Sequence, residues 1–177
     1  MSADALLEAY RTTRFVAYDG DRQVVAMVGQ HAPEMDELLH RLAARSGVFI
    51  TAWNPRSIVL SQELNAAAAR RLEARVAAEG FRALPHRGIS ADPTWHPEEG
   101  LFVLDIDFDY AIAMAADFGQ NAITAVSIGQ PAILPAFMKT SLQHCSYHCR
   151  HDNGAAHQAK APVRWVHQTS LRIETVR

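Results

Sequence analysis

Between Val48 and Ile128 the chain alternates short apolar runs with two helical stretches, and each junction carries a residue that ends regular structure. Val48 to Trp53 is β-prone and stops at Asn54-Pro55, since a residue before proline is pushed out of the helical region. Ser61 can cap a long helix whose Leu64, Ala68, Leu72 and Val76 fall four apart as its buried face, and Gly80 stops it. Phe81 to Ile89 reads as a strand, Asp92-Pro93 and His96-Pro97 as a loop, and Leu101 to Asp105 as another strand. Asp107 can cap a helix that runs to Phe118, with Gly119 as its stop, and Ala122 to Ile128 is the last strand. Strand, helix, strand, strand, helix, strand is the β-α-β-β-α-β order of ferredoxin-like α+β folds. In such a sheet the first strand is central and the fourth lies beside it, which predicts antiparallel pairing of Val48–Trp53 with Ala122–Ile128.

The preceding segment adds to that core. Leu6 to Tyr10 is a short helix. Thr13 to Tyr18 and Val24 to Val28 flank the turn signal Asp19-Gly20-Asp21, which gives a hairpin. Pro33 suits the first position of a helix whose apolar stripe is Met35, Leu38, Leu39 and Leu42, closed at Gly47.

Composition narrows the function. The chain has 177 residues, 49% hydrophobic and 20% charged, which excludes wholesale disorder. A net charge of −2 gives no global basic footprint for nucleic acid. Gly100 to Val103 lacks the RNA-binding signature, with Glu99 where a basic residue is needed and Phe102 the sole aromatic. No run of about 18 uncharged apolar residues exists, and Met1 to Glu8 lacks the basic-then-apolar pattern of a leader. Cys145 and Cys149 are too few for a disulfide scaffold. A cytoplasmic protein without nucleic-acid or membrane partners is expected. Residues 1–127 carry 11 Arg against 17 acids, and residues 128–177 carry 6 basic residues against 2 acids. This shift, with breakers at Gly129, Pro131 and Pro135, sets a boundary: an α+β domain over 1–128 and a weakly folded, basic, His- and Cys-containing tail over 129–177. His144, Cys145, His148 and Cys149 lie four apart in pairs, but no second Cys pair accompanies them, so no metal site and no cofactor are expected.

Two polar motifs bound the core, Thr51-Ala52-Trp53-Asn54-Pro55-Arg56-Ser57 and Phe118-Gly119-Gln120-Asn121-Ala122. The expected topology brings Asn54, Ser57, Gln120 and Asn121 to one end of the sheet, with Arg56 nearby and Asp105 arriving there as well. Amides with one carboxylate form a cradle for a polar ligand but supply no nucleophile or base pair. The reading is a non-catalytic module that binds a small polar ligand or a protein partner. The alternative is an enzyme that uses Asp105 and Asp107 with these amides around a divalent cation or polar substrate. Asp105, Asp107 and Asp109 fit neither a phosphatase pattern nor a calcium loop, and helix capping accounts for Asp107. Ser57, His86 and Asp105 lack the Gly-x-Ser-x-Gly context of a hydrolase triad. Glu98 is placed at the end of the sheet opposite Asn54, as a structural residue facing Arg11 or Arg14.

Thr-Ala-Trp-Asn-Pro at 51–55, Asn65 in the next helix, Trp95-x-Pro97-Glu98-x-Gly100 before Phe102-Val103, and Phe-Gly-Gln-Asn-Ala at 118–122 keep a common order and spacing. In these motifs the chain resembles the bacterial domain-of-unknown-function family 3293 over about Tyr10 to Val126. The resemblance implies a short cytoplasmic bacterial domain, brings no activity, cofactor or catalytic residue, and marks the residues after about Ile128 as an addition.

Overall fold

The computed structural model describes residues 3–135. Helix α1 (Ala3–Thr12) leads into the hairpin β1 (Arg14–Asp19) and β2 (Arg22–Ala26), then α2 (Pro33–Arg41) and β3 (Ser46–Thr51). A single 3-10 turn (Pro55–Ser57) precedes α3 (Gln62–Ala78), followed by β4 (Ala83–Ile89), β5 (Glu98–Leu104), α4 (Phe108–Asp117) and β6 (Thr124–Ser127). The caps act where the sequence placed them: Leu64 N donates to Ser61 Oγ and Tyr110 N to Asp107 Oδ1. The architecture is α+β, with six strands in the order β2-β1-β4-β5-β3-β6, all paired antiparallel. The expected partnership of the first and last core strands is present, with Val48 opposite Ala125 and Phe49 opposite Thr124.

Side chains alternate across this sheet and divide the core in two. On one face Val48, Ile50, Leu101 and Val103 meet Ala68, Leu72 and Val76 of α3 and Ala111, Met114 and Ala115 of α4. On the other, Phe49, Phe102 and Leu104 meet Met35, Leu38 and Leu39 of α2 together with Phe15, Ala17 and Val24 of the hairpin. Phe49 and Phe102 stack at 4.5 Å between centroids, and Phe15 tilts against Phe49 at 5.6 Å.

Three expectations change. The buried face of α3 begins at Asn65 rather than Leu64, which is 58% exposed; Asn65 is taken inward by hydrogen bonds. Gly47 does not close α2. It lies in β3 under the Phe102 ring, where a Cβ would collide. The boundary after Ile128 falls inside the folded structure: Ala125 and Ile133 exchange backbone hydrogen bonds, Val28 bridges Ala132, and Ala132 is buried in the second core. The rest of the expected tail, 136–177, lies outside the described residues.

Gly47 and Phe102 should therefore be coupled. Gly47→Ala is expected to cost about 1–3 kcal/mol by overpacking, and Gly47→Ala with Phe102→Leu should cost clearly less than the sum of the single changes. Urea unfolding of the four proteins measures this; strict additivity contradicts the contact.

Candidate functional site

The site is built by register. Thr51 of β3 faces Gly100 of β5, which faces His86 of β4. One step along, Glu98 faces Gly88, which faces Phe15 of β1. Directly opposed residues share a face, so Glu98, His86 and Phe15 stand on one surface around two glycines. At Gly100 the absent side chain admits another group: a Cβ would press on the Ile50 carbonyl and lie 2.7 Å from His86 Nε2. At Gly88 a Cβ would meet nothing closer than 3.9 Å. The missing side chain there helps to leave a cleft of about 220 Å³, walled by Tyr10 of α1, Phe15, Phe49, Trp95, Asn54, Ser57, Gln120, Asn121 and Thr124, with His86 and Glu98 at its base.

Glu98 is held by one oxygen. Its Oε1 accepts from Asn54 Nδ2 at 2.8 Å and from Trp95 Nε1 at 3.0 Å. Its Oε2 has no donor among the described residues. Burial pushes the carboxyl above its ordinary value, and the two hydrogen bonds pull the other way. Burial, then the charge of Glu98, raises the Tyr10 phenol to about 12. His86 is 4% exposed and edge-on to Phe49; burial lowers its pKa to about 4, so the imidazole is neutral at neutral pH. His86 Nδ1 and Thr124 Oγ1 are both buried without a hydrogen-bond partner, a costly state for polar atoms unless something else meets them.

Asn54 ties this end of the sheet together. It sits in left-handed backbone at φ 47°, ψ 57°, a conformation Asn tolerates better than most residues. Its N–H donates to Asn65 Oδ1 at 2.9 Å, and its Oδ1 accepts from Asn65 Nδ2 at 3.0 Å and Leu60 N at 3.1 Å. Arg56 and Ser57 also have positive φ, 57° and 58°. Three non-glycine residues of this kind within four positions store strain that surrounding contacts must hold, a pattern that clusters at functional sites. Those contacts come from the second motif: Arg56 N donates to Gly119 O at 2.8 Å, Gln120 Nε2 to Trp53 O at 2.9 Å, and Asn121 Nδ2 to Ser57 Oγ at 3.0 Å.

Asn54, Ser57, Gln120 and Asn121 thus line one cleft, as the sequence placed them. Asp105 does not join them. Antiparallel pairing sets the end of β5 beside the start of β3, so Asp105 Oδ1 accepts from Arg45 N and Ser46 N at the far end of the sheet. The same pairing brings the start of β5, and Glu98, to Asn54. Glu98 is therefore a cleft residue and bonds neither Arg11 nor Arg14. Asp107 is occupied as the α4 cap. His86 entered the sequence reading only as a rejected triad member, and neither glycine was placed at the site; isolated glycines in His86-x-Gly88 and Glu98-x-Gly100, each inside a strand pattern, were the available signal.

Fold and site define an α+β domain with a polar-based cleft at one end of its sheet. Residues 50–123 match the model of the family described as a protein of unknown function (DUF3293), so the middle of the chain is similar to that family. The matched span contains Asn54, Ser57, Asn65, His86, Gly88, Glu98, Gln120 and Asn121. Curated proteins and solved structures give no match to the chain. No helix among the described residues is long and apolar enough to cross a membrane.

Burial of His86 links stability to pH. The unfolded imidazole protonates near 6.5 and the folded one near 4, so on acidification the unfolded chain takes the proton first. The stabilisation is complete above 6.5 and is lost as pH falls toward 4, about 3 kcal/mol in all. Glu98, raised in the fold, acts in the opposite sense, so the effect is read as a difference between wild type and His86→Gln in denaturant unfolding. The difference should shrink across that window; a constant difference contradicts a neutral buried imidazole.

Proposed function

We propose that this chain is a binding module whose cleft takes one small polar ligand. One observation carries the reading: Glu98, with one carboxylate oxygen free of donors, lines the same cleft as His86 and Thr124, each of which holds a buried polar atom without a partner. A ligand with a complementary polar group would meet the Glu98 carboxylate, while the aromatic walls would bury its apolar part. The arrangement β6-β3-β5-β4, with α3 and α4 on one face, supports reading the core as ferredoxin-like, on whose opposite face the hairpin and α2 leave the cleft.

A second reading, an enzyme, rests on a different pair from Asp105 and Asp107. Glu98 is raised and His86 lowered within one cleft, the separation by which environments assign acid and base roles. A bound compound recovered chemically altered, and unaltered after incubation with Glu98→Gln, would favour it.

A small-molecule fragment screen on the full chain by amide NMR tests the binding reading. Hits should shift the amides of Asn54, Gly88 and Glu98. Gly88→Val has room for its Cβ and projects methyls into the cleft, so it should keep the melting temperature within a few degrees and weaken those hits at least tenfold. Hits that cluster elsewhere, or persist unchanged in Gly88→Val, contradict the reading.

A further inference from the structure

Resting on that reading, we infer that the ligand is a small organic cation, an ammonium group on an apolar body, seated with its charge at Glu98 Oε2 and its body against Trp95, Tyr10 and Phe15. The charge of the cleft is the first ground. Its ionisable groups other than the neutral His86 and the phenol of Tyr10 are the carboxylates of Glu98 and Asp92, and no Arg or Lys among the described residues lines it. A phosphate or carboxylate would meet acidic groups with no cationic partner, at a cost in Coulomb energy and desolvation.

The second ground is valence. Glu98 Oε1 already accepts two N–H groups, so a ligand reaches the carboxylate at Oε2, which accepts only. A neutral hydroxyl could donate one hydrogen bond there. An ammonium donates and also neutralises a carboxylate that burial has made costly to keep charged.

The third ground is the wall. Trp95 is oriented by its Nε1–H bond to Glu98, and Tyr10 lies close enough to feel the charge of that carboxylate. Aromatic faces beside an anionic oxygen attract cations through the ring quadrupole.

Three probes of one shape separate the charge classes: benzylammonium, benzyl alcohol and benzoate, titrated into the full chain at neutral pH and followed by amide NMR. Benzylammonium should bind at the amides of Gly88 and Glu98 at least tenfold more tightly than benzyl alcohol, and benzoate should not bind there. Glu98→Gln, which keeps an acceptor for Asn54 and Trp95, should reduce benzylammonium to about the level of the alcohol; a thermal melt shows that the variant is folded. If the alcohol or benzoate binds in the cleft as well as the ammonium does, or Glu98→Gln changes nothing, the cation inference is overturned while the binding reading stands. If none of the three shifts the cleft amides, the inference is also overturned, and the fragment screen alone then decides the binding reading.

Discussion

One buried asparagine sets the geometry of this domain's sheet end. Asn54 uses its backbone N–H, its side-chain oxygen and its side-chain nitrogen at once, to Asn65, to Leu60 and Asn65, and to Glu98. These bonds join the end of β3, the first turn of α3 and the start of β5. Each group is buried or half-buried, so each unmade bond would cost about 1–3 kcal/mol. That demand offsets a left-handed Asn54, two further positive-φ residues at Arg56 and Ser57, and a carboxylate held away from bulk water. The second polar motif acts as a brace, because Gly119 to Asn121 bonds the backbone and the Ser57 hydroxyl of the strained segment rather than Asn54 itself.

The cleft follows from what the sheet omits. Two glycines in adjacent strands, Gly88 and Gly100, face Glu98 and His86 across the ladder. Gly100 yields its space to the Ile50 carbonyl and the imidazole, while Gly88 yields its space to the opening. Hydrophobic burial elsewhere is conventional, with Leu72, Val76, Met114 and Phe102 fully enclosed. Among the described residues, the buried polar side-chain atoms left unpaired are therefore local departures from an otherwise closed core, and two of the four belong to His86 and Thr124, which line the cleft.

Much of this was legible in the sequence, because the signals were local. Ser61 and Asp107 are caps, Asn54-Pro55 ends a strand, and the order of elements orders the central strands. Asn54, Ser57, Gln120 and Asn121 flank one junction, so the topology alone brought them together. What failed depended on direction and on partners remote in sequence. Reversing the sense of β5 exchanges Glu98 for Asp105 at the site. The periodicity of α3 favours Leu64, but Asn65 turns inward because its amide closes the bonds of Asn54. Gly88 and Gly100 become meaningful only once their register is known. Residues 129–135 look like a breaker-rich linker, yet they return to pair with β6 and the Val28 region.

The central claim is that Glu98 stands inside the cleft as a carboxylate held partly in check by Asn54. Titration of the Glu98 side-chain carboxyl by carbon NMR addresses it directly. The account predicts a midpoint above the ordinary 4.5 in the wild-type chain, because burial outweighs the two hydrogen bonds. Loss of the Asn54 donor in Asn54→Ala should move it further upward. A wild-type midpoint at or below 4.5 would contradict the dominance of burial over the two hydrogen bonds, and a midpoint that Asn54→Ala leaves unmoved would place Glu98 away from Asn54 and contradict the site described here.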